Sequence, residues 1–378
     1  MSILSNLRNA EFGVYGACHM YKPHPALVPV LFIPGMIYQA GVLLRNRAFD
    51  AGLISSRGLP QTVVSVGNLT LGGTGKTPFV IYLAELIKEM GYVPAVLTRG
   101  YGRRKSGMGK TIILSPEMCF PASLIGDEPA LIRRRLPDTW IGISVDRFCA
   151  ANAIERQRQR ERSHTTQMVF IMDDGFQRRD IQRDLDIVMI DSSLPPYAER
   201  LFPLGALREP AAELRRARAV VINGNGTGND RADAVMENLR KYAPEADFFH
   251  CVQRIQTIIP FADWLDPETQ TQLRSKPASA FLVAAIGNPE RFKRDIMNMG
   301  IETRGCAFYN DHAVLGKKDW EICVGAARKV NAEAIIITEK DAVKISCQPD
   351  FPVLVAVQNT ELPADARFRE ILQAAIRR

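Results

Sequence analysis

The sequence predicts an α/β fold: a mainly parallel sheet covered on both faces, a second, smaller α/β lobe after it, and an apolar, membrane-associated segment before it. Three observations carry this expectation. Apolar runs of strand length alternate with helix-length segments along most of the 378 residues, as in repeated βαβ units. A glycine-rich stretch, Thr70–Thr77, stands between the apolar run Thr62–Val66 and the helix-like run Phe79–Met90. Ala26–Leu44 carries no charged residue over nineteen positions.

That N-terminal run is flanked by Lys22 before it and by Arg45 and Arg47 after it. Its length approaches the roughly 20 residues of a membrane span. Pro23, Pro25, Pro29 and Pro34 punctuate its approach and first half, and Gln39 its second. Prolines suit neither a packed soluble helix nor its core, and no A-x-A-like cleavage site marks a secretory signal. We read it as a segment lying in the bilayer surface, with Arg45 and Arg47 meeting anionic headgroups.

Strands of the first lobe are expected at Thr62–Val66, Val93–Thr98, Thr111–Leu114, Trp140–Ser144, Met168–Met172, Ile187–Ile190 and Ala219–Ile222. Helices are expected at Pro78–Met90, Glu128–Arg135, Arg147–Arg160 and Arg231–Lys241. Ligands of such a sheet gather beyond the carboxyl ends of its strands. After the loop Gly224–Asn229, the alternation around His250–Ile258 reads as a linker strand. The second lobe then offers strands at Ala280–Ile286, Thr303–Phe308, Ala334–Ile337 and Val353–Val357, with helices at Pro289–Met299, Lys317–Val330 and Ala364–Ile376. The resulting division is 1–47 for the membrane-associated segment, 48–245 for the core and 246–378 for the smaller lobe.

Thr70-Leu71-Gly72-Gly73-Thr74-Gly75-Lys76-Thr77 is a phosphate cradle of the P-loop NTPase type. Its glycines let backbone N–H groups close on phosphates, Lys76 reaches the terminal ones, and the Thr77 hydroxyl can ligate Mg²⁺. P-loop ATPases that dimerise over their nucleotide carry a lysine before the paired glycines; Leu71 stands there, which argues for an acceptor other than a partner-regulated water. The apolar run Met168–Met172 ends in Asp173-Asp174, a pair suited to holding Mg²⁺ at a strand end. Gly126-Asp127-Glu128-Pro129 opens a helix, where Asp127 is either its N-cap or a general base for an attacking hydroxyl. Arg99-Gly100-Tyr101 follows a strand, and Arg208-Glu209 lies in a glycine- and proline-rich loop; each is a candidate substrate contact or a plain salt-bridged loop. In the second lobe, Asp311-His312 and Thr338-Glu339-Lys340-Asp341 both follow strand ends.

Net charge is +7, and arginines clump at 133–135, 156–162, 178/179 and 215–218. Such clumps suit an acidic partner, although most read as solvated helix faces. With no aromatic-interleaved basic strand and no zinc module, nucleic acid is not expected as a partner. Seven scattered cysteines without a C-x-x-C fit a reducing cytoplasm.

In order, Val66-Gly-Asn-Leu-Thr-Leu-Gly-Gly-Thr-Gly-Lys-Thr-Pro78, Arg99-Gly-Tyr101, Gly126-Asp-Glu-Pro129, Asp173-Asp-Gly-Phe-Gln177, Leu207-Arg-Glu-Pro210, Gly287-Asn-Pro-Glu-Arg-Phe292, Asp311-His312 and Thr338-Glu-Lys-Asp-Ala342 resemble the motif set of the tetraacyldisaccharide 4′-kinase family. Singly these motifs are weak; as an ordered set over nearly the whole chain they are specific. The resemblance implies ATP- and Mg²⁺-dependent transfer of the γ-phosphoryl group to the 4′-hydroxyl of a tetraacylated glucosamine disaccharide 1-phosphate, making lipid IVA in lipid A synthesis. It further implies a first lobe carrying ATP, a second that closes, and an N-terminal helix in the cytoplasmic face of a Gram-negative inner membrane. Anionic lipid would be met there, with no obligate protein partner. On this chain the catalytic residues would be Asp127 and His312, acting together on the acceptor, with Lys76 and Asp174; Arg99, Tyr101, Gln177, Arg208 and Glu209 would meet substrate. Many members carry histidine where Arg178 stands; if that position meets the substrate headgroup, the contact has become a fixed cation. The rival readings are a P-loop switch or transport ATPase acting on a partner protein, and a nucleotide-binding module without catalysis.

Overall fold

The computed structural model describes residues 23, 25–100, 103, 110–161, 166–224, 229–266, 276–345, 349–363 and 365–377. The chain forms two compact units, which divide at Gln253/Arg254 and again at Gln358/Asn359.

The larger unit begins with helix α1 (Val28–Asp50). It continues through β1 (Thr62–Asn68), α2 (Lys76–Glu89), β2 (Val93–Thr98), β3 (Ile112–Leu114), the short α3 (Ala122–Ile125), α4 (Asp127–Arg135), β4 (Trp140–Ile143) and α5 (Arg147–Arg160). Then come β5 (Met168–Asp173), β6 (Leu185–Asp191), β7 (Ala219–Asn223), α6 (Asn229–Arg240) and β8 (Asp247–Pro260). The strand order is β8-β7-β6-β1-β5-β2-β4-β3, parallel except for β3, which runs antiparallel to β4 at the edge. β1 lies between β5 and β6, pairing Val64 with Ile171 and with Leu185. All seven residues of β1 are buried, as expected of a central parallel strand covered on both faces. Side chains alternate: Met168, Phe170 and Met172 pack with Ala150, Ala151 and Ile154 of α5 on one face.

The smaller unit contains α7 (Phe261–Leu265), β9 (Ser279–Ala284), α8 (Pro289–Asn298), β10 (Glu302–Phe308), α9 (Lys317–Lys329), β11 (Ala334–Thr338), the short α10 (Glu339–Ala342) and most of β12 (Val353–Glu361). Its strands run β10-β9-β11-β12, all parallel. Phe281 and Val283 of β9 face a cluster with Trp320 and Ala327 of α9, while Ala280, Leu282 and Ala284 face Phe292 and Ile296 of α8. The Gly287–Phe292 motif is accounted for locally. Asn288 accepts from Arg291 N at 3.1 Å as N-cap, Pro289 takes the first turn, and Phe292 is buried.

Three expectations are refined. Helix α11 (Asp365–Ile376) belongs to the larger unit rather than to the C-terminal lobe. Phe368 is fully buried between Phe79 of α2 and Phe249 of β8, ring centroids 5.9 and 5.3 Å away in edge-to-face contact. An amphipathic terminal helix is placed by whichever apolar surface it can cover, and sequence order does not set that choice. β8 starts earlier than its alternating pattern indicates and runs for 14 residues across the division at 253/254. The arginine clumps are only partly solvated. Arg133 is 3% exposed and donates to the carbonyls of Leu114, Ser115, Leu136 and Pro137, and Arg158 is buried against Thr166 O. An arginine carries five N–H donors and can collect the free carbonyls of a loop.

Helix α1 is long and apolar enough to cross a membrane, and only 6% of its apolar window is buried. Val30, Ile33, Ile37 and Leu44 are all at least 66% exposed. Its other face is docked. Gly35 meets Leu204, where an added Cβ would come within 3.2 Å, and the Tyr38 ring lies edge-on to Phe202 at 5.6 Å. Near its end Asp50 takes Arg179 at 2.6 Å and Arg215 at 2.7 Å. Arg45, expected at lipid headgroups, instead turns inward to donate to Gln177 O, while Arg47 stays exposed.

Candidate active site

The cradle forms where β1 gives way to α2. Gly72 and Gly75 take left-handed φ values of 105° and 84°, which a side chain disfavours, and Gly75 is the N-cap of α2. Lys76 and Thr77 are therefore the first two helical residues, at the positive end of the helix dipole. The loop is braced from outside. Leu71 N donates to Ala206 O at 2.6 Å, and Arg208 N donates to Leu69 O at 2.8 Å. The segment carrying Arg208 and Glu209 thus forms one wall of the cradle.

Asp174 bridges the cradle and this wall. Lys76 Nζ lies 3.4 Å from its Oδ1, and Arg208 Nη1 lies 2.9 and 2.8 Å from its two oxygens. Burial alone would raise this carboxyl, but Lys76 and Arg208 outweigh it and hold the group at about 2. Asp174 stands just past β5 in a left-handed conformation (φ 51°), so its side chain leaves the alternation of the strand. Asp173 is the last residue of β5, 6% exposed, and accepts from Thr98 Oγ1 at 3.1 Å. Burial, reinforced by the charges of Asp174 and Glu128, pushes its carboxyl up to about 6. A divalent cation would relieve that charge crowding. The two carboxylates and the Thr77 hydroxyl are hard oxygen donors of the kind Mg²⁺ takes. No cluster of three or more His, Cys, Asp or Glu among the described residues could cage a metal.

Asp127 is 4% exposed and is the first residue of α4. The N-cap is Gly126, at φ 100°, so the capping reading of Asp127 does not apply. Arg99 is exposed just beyond β2, and Tyr101 lies outside the described residues. Gln177 donates through Nε2 to Asn68 O at 2.9 Å, reaching the strand that feeds the cradle. Arg178 donates to Val145 O at 3.2 Å and pairs with Asp180 at 3.1 Å. Glu209 is 1% exposed and held by Arg216, by Asn46 Nδ2 at 3.4 Å and by Arg45 at 3.9 Å. Its carboxylate is turned into protein, toward α1.

Sequence reasoning missed several residues here. Arg147, 3% exposed at the start of α5, feels the charges of Asp173 and Asp174; burial and Arg178 beside it lower its pKa. Its spacing matches an ordinary arginine on a helix, and only burial next to two acids marks it out. Tyr38 donates to Arg208 O at 2.9 Å, tying α1 to the wall of the cradle. Asn68, Asn223 and Gln253, all at most 2% exposed, reach the cradle from three strands.

In the smaller unit, His312 sits in a left-handed turn (φ 65°) after β10. Lys340 Nζ lies 2.9 Å from Asp311 Oδ1 and 3.4 Å from His312 Nε2. The same Nε2 lies 3.8 Å from Asp311 Oδ2, so the ring faces both a cation and a carboxylate. The Thr338–Ala342 motif supports that turn. Asp341 accepts from Ala285 N, and Lys344 pairs with Asp341 at 2.7 Å while donating to Ala313 O at 3.1 Å.

Comparison with known proteins agrees with the motif set. The family model described as LpxK, tetraacyldisaccharide-1-P 4′-kinase, matches residues 27–377. The tetraacyldisaccharide 4′-kinase of Syntrophus aciditrophicus is 36% identical over 334 residues, covering 84% of each chain. That of Desulfotalea psychrophila is 32% identical over 336 residues, covering 88% of this chain and 92% of its own. The crystal structure of LpxK from Aquifex aeolicus in complex with ATP superposes with a TM-score of 0.70 at 26% identity, over 93% of this chain and 99% of that one.

Proposed function

This chain belongs to the tetraacyldisaccharide 4′-kinase family, and on that premise we propose how its residues divide the work of the kinase reaction. The protein is an ATP-dependent kinase that moves the γ-phosphoryl group to the 4′-hydroxyl of a tetraacylated glucosamine disaccharide 1-phosphate, giving lipid IVA. The observation that carries the assignment of roles is Lys76 and Arg208 converging on Asp174 at the mouth of a glycine cradle. These are the fixed charges that a loose phosphoryl-transfer transition state requires.

The backbone N–H groups of Gly72, Gly73, Thr74 and Gly75, bordered by Thr70 and Leu71, receive the triphosphate, and Lys76 meets its terminal oxygens. Thr77, Asp173 and Asp174 would hold Mg²⁺, which would supply neutralising charge to the triphosphate. Asp127 accepts the proton of the 4′-hydroxyl as that oxygen bonds to the γ-phosphorus and the bond to the bridging oxygen of ADP breaks. His312 orients or polarises this step. Arg99, Tyr101, Gln177 and Arg208 contact the acceptor, and Glu209 acts by holding the Arg208 segment against α1. The functional division follows: an apolar segment through residue 47, a nucleotide core from 48 to about 245 completed by α11, and a C-terminal lobe that carries His312. The exposed apolar face of α1 seats the enzyme on the cytoplasmic face of a Gram-negative inner membrane, where Arg47 meets anionic lipid.

Incubation with γ-labelled ATP and the dispersed disaccharide 1-phosphate tests the reading. The label should appear in the lipid and depend on Mg²⁺. Release of inorganic phosphate alone would return the protein to the switch or transport ATPases, a reading that Leu71 and the family match disfavour.

A further inference from the structure

The cradle is held by a buried set of side-chain amides that lies outside the loop itself. Asn68 Nδ2 donates to Thr70 O at 2.8 Å and to Thr74 Oγ1 at 3.2 Å. Asn223, the last residue of β7, donates to Gln253 Oε1 at 2.9 Å and to Thr74 O at 3.4 Å. Gln253 of β8 then donates through Nε2 to Gly75 O at 2.7 Å. Asn68 and Asn223 are 0% exposed and Gln253 is 2% exposed. Burying amides costs free energy unless their bonds are made, so three convergent amides under one loop need a reason.

Peptide planarity supplies it. In a trans peptide the C=O of one residue and the N–H of the next point in opposite directions. Fixing Thr74 O against Asn223, and Gly75 O against Gln253 beside its longer helical bond from Phe79 N at 3.3 Å, turns Gly75 N–H and Lys76 N–H the other way, toward the phosphate side of the loop. If either plane flipped, a carbonyl would face the phosphates and repel them. Gly75 is the residue at which such a flip is easiest, because glycine takes either sign of φ. Glycine is also demanded there by the clamp, since an added Cβ would lie 2.2 Å from Gln253 Oε1.

We propose that Asn223 and Gln253 are positioning residues for ATP, an amide clamp that fixes the two peptide planes at Gly75 so that their N–H groups face the phosphates. The acceptor is untouched by this clamp, so its loss separates the two substrates. Gln253→Met keeps volume and removes the donor. It should raise KM for ATP about tenfold and leave KM for the lipid acceptor within about twofold. Gln253→Glu keeps the shape and makes the donor titratable. Protonated, the acid donates to Gly75 O; ionised, it repels it. Its KM for ATP should therefore climb with pH between about 6 and 9 relative to the wild-type profile, a response that lost packing would not give. Thermal melts show whether each variant is folded. A folded Gln253→Met with wild-type KM for ATP, or equal rises in both KM values, would overturn the clamp. So would a Gln253→Glu profile parallel to wild type.

Discussion

Asp173 and Asp174 are neighbours in sequence with opposite proton affinities, and that contrast gives a test at the scale of single residues. The Asp173 carboxyl is raised to about 6, so in the ligand-free protein the folded state holds a proton that the unfolded chain, near 4, releases. Stability from this group is therefore present at low pH and lost as pH rises through about 6. Asp173→Asn should stabilise the ligand-free protein by ~1–3 kcal/mol at about pH 8, with the difference vanishing below about pH 4, while abolishing transfer. Thermal melts across that range check it, and a variant less stable than wild type at pH 8 would refute the assignment. Asp127 and His312 are tested as a unit. Each single alanine variant should lower kcat by about 10²–10⁴-fold, and the double variant should be little worse than the poorer single. ATP affinity should change by less than about twofold. Fully multiplicative losses would mean that the two act independently.

At the scale of elements, α1 has two faces with separate jobs. Deleting residues through Arg47 would remove the apolar anchor together with Tyr38, Arg45 and Asn46, which brace Arg208, Gln177 and Glu209. Such a truncation confounds membrane release with damage to the site. Ile33→Asp with Ile37→Asp is cleaner, because these side chains are 66% and 68% exposed. Each loses the ~1.5–3 kcal/mol that burying an isoleucine in lipid would contribute. The variant should move from membrane to soluble fractions while its kcat on detergent-dispersed acceptor stays within about twofold. Sedimentation like the wild type would place the anchor elsewhere. The docked face predicts the converse, altered turnover with membrane binding retained, for Asn46→Ala.

For the whole molecule, ligand binding and stability are linked. A ligand at about 100 times its Kd adds ~2.7 kcal/mol to the folded state. Saturating ATP with Mg²⁺ should raise the melting temperature of the wild type by several degrees, and Lys76→Ala should lose most of that rise along with transfer. An undiminished shift in Lys76→Ala with normal turnover would sink the cradle assignment. The core around β1 and α2 is completed by α11, with Phe368 wedged between Phe79 and Phe249. The chain's last helix thus stabilises the element that carries Lys76.

The sequence by itself determined the cradle, the carboxylate pair at the end of β5, the order of the main strands and helices, and the apolar character of the N-terminal segment. These are local: a few consecutive residues fix a turn's backbone, and periodicity over one element fixes its buried face. The tertiary structure alone decided the rest. It turned Arg45 and Glu209 into protein, gave Asp174 to Lys76 and Arg208, put Arg147 beside the carboxylates, and returned α11 to the larger unit. It also brought Asn223 and Gln253 under Gly75 from positions 148 and 178 residues downstream. Isolated polar residues carry no period and no spacing that marks their partners. Their pairing is set by which surfaces the fold buries together, and by the free-energy cost of leaving a buried amide or charge without a bond.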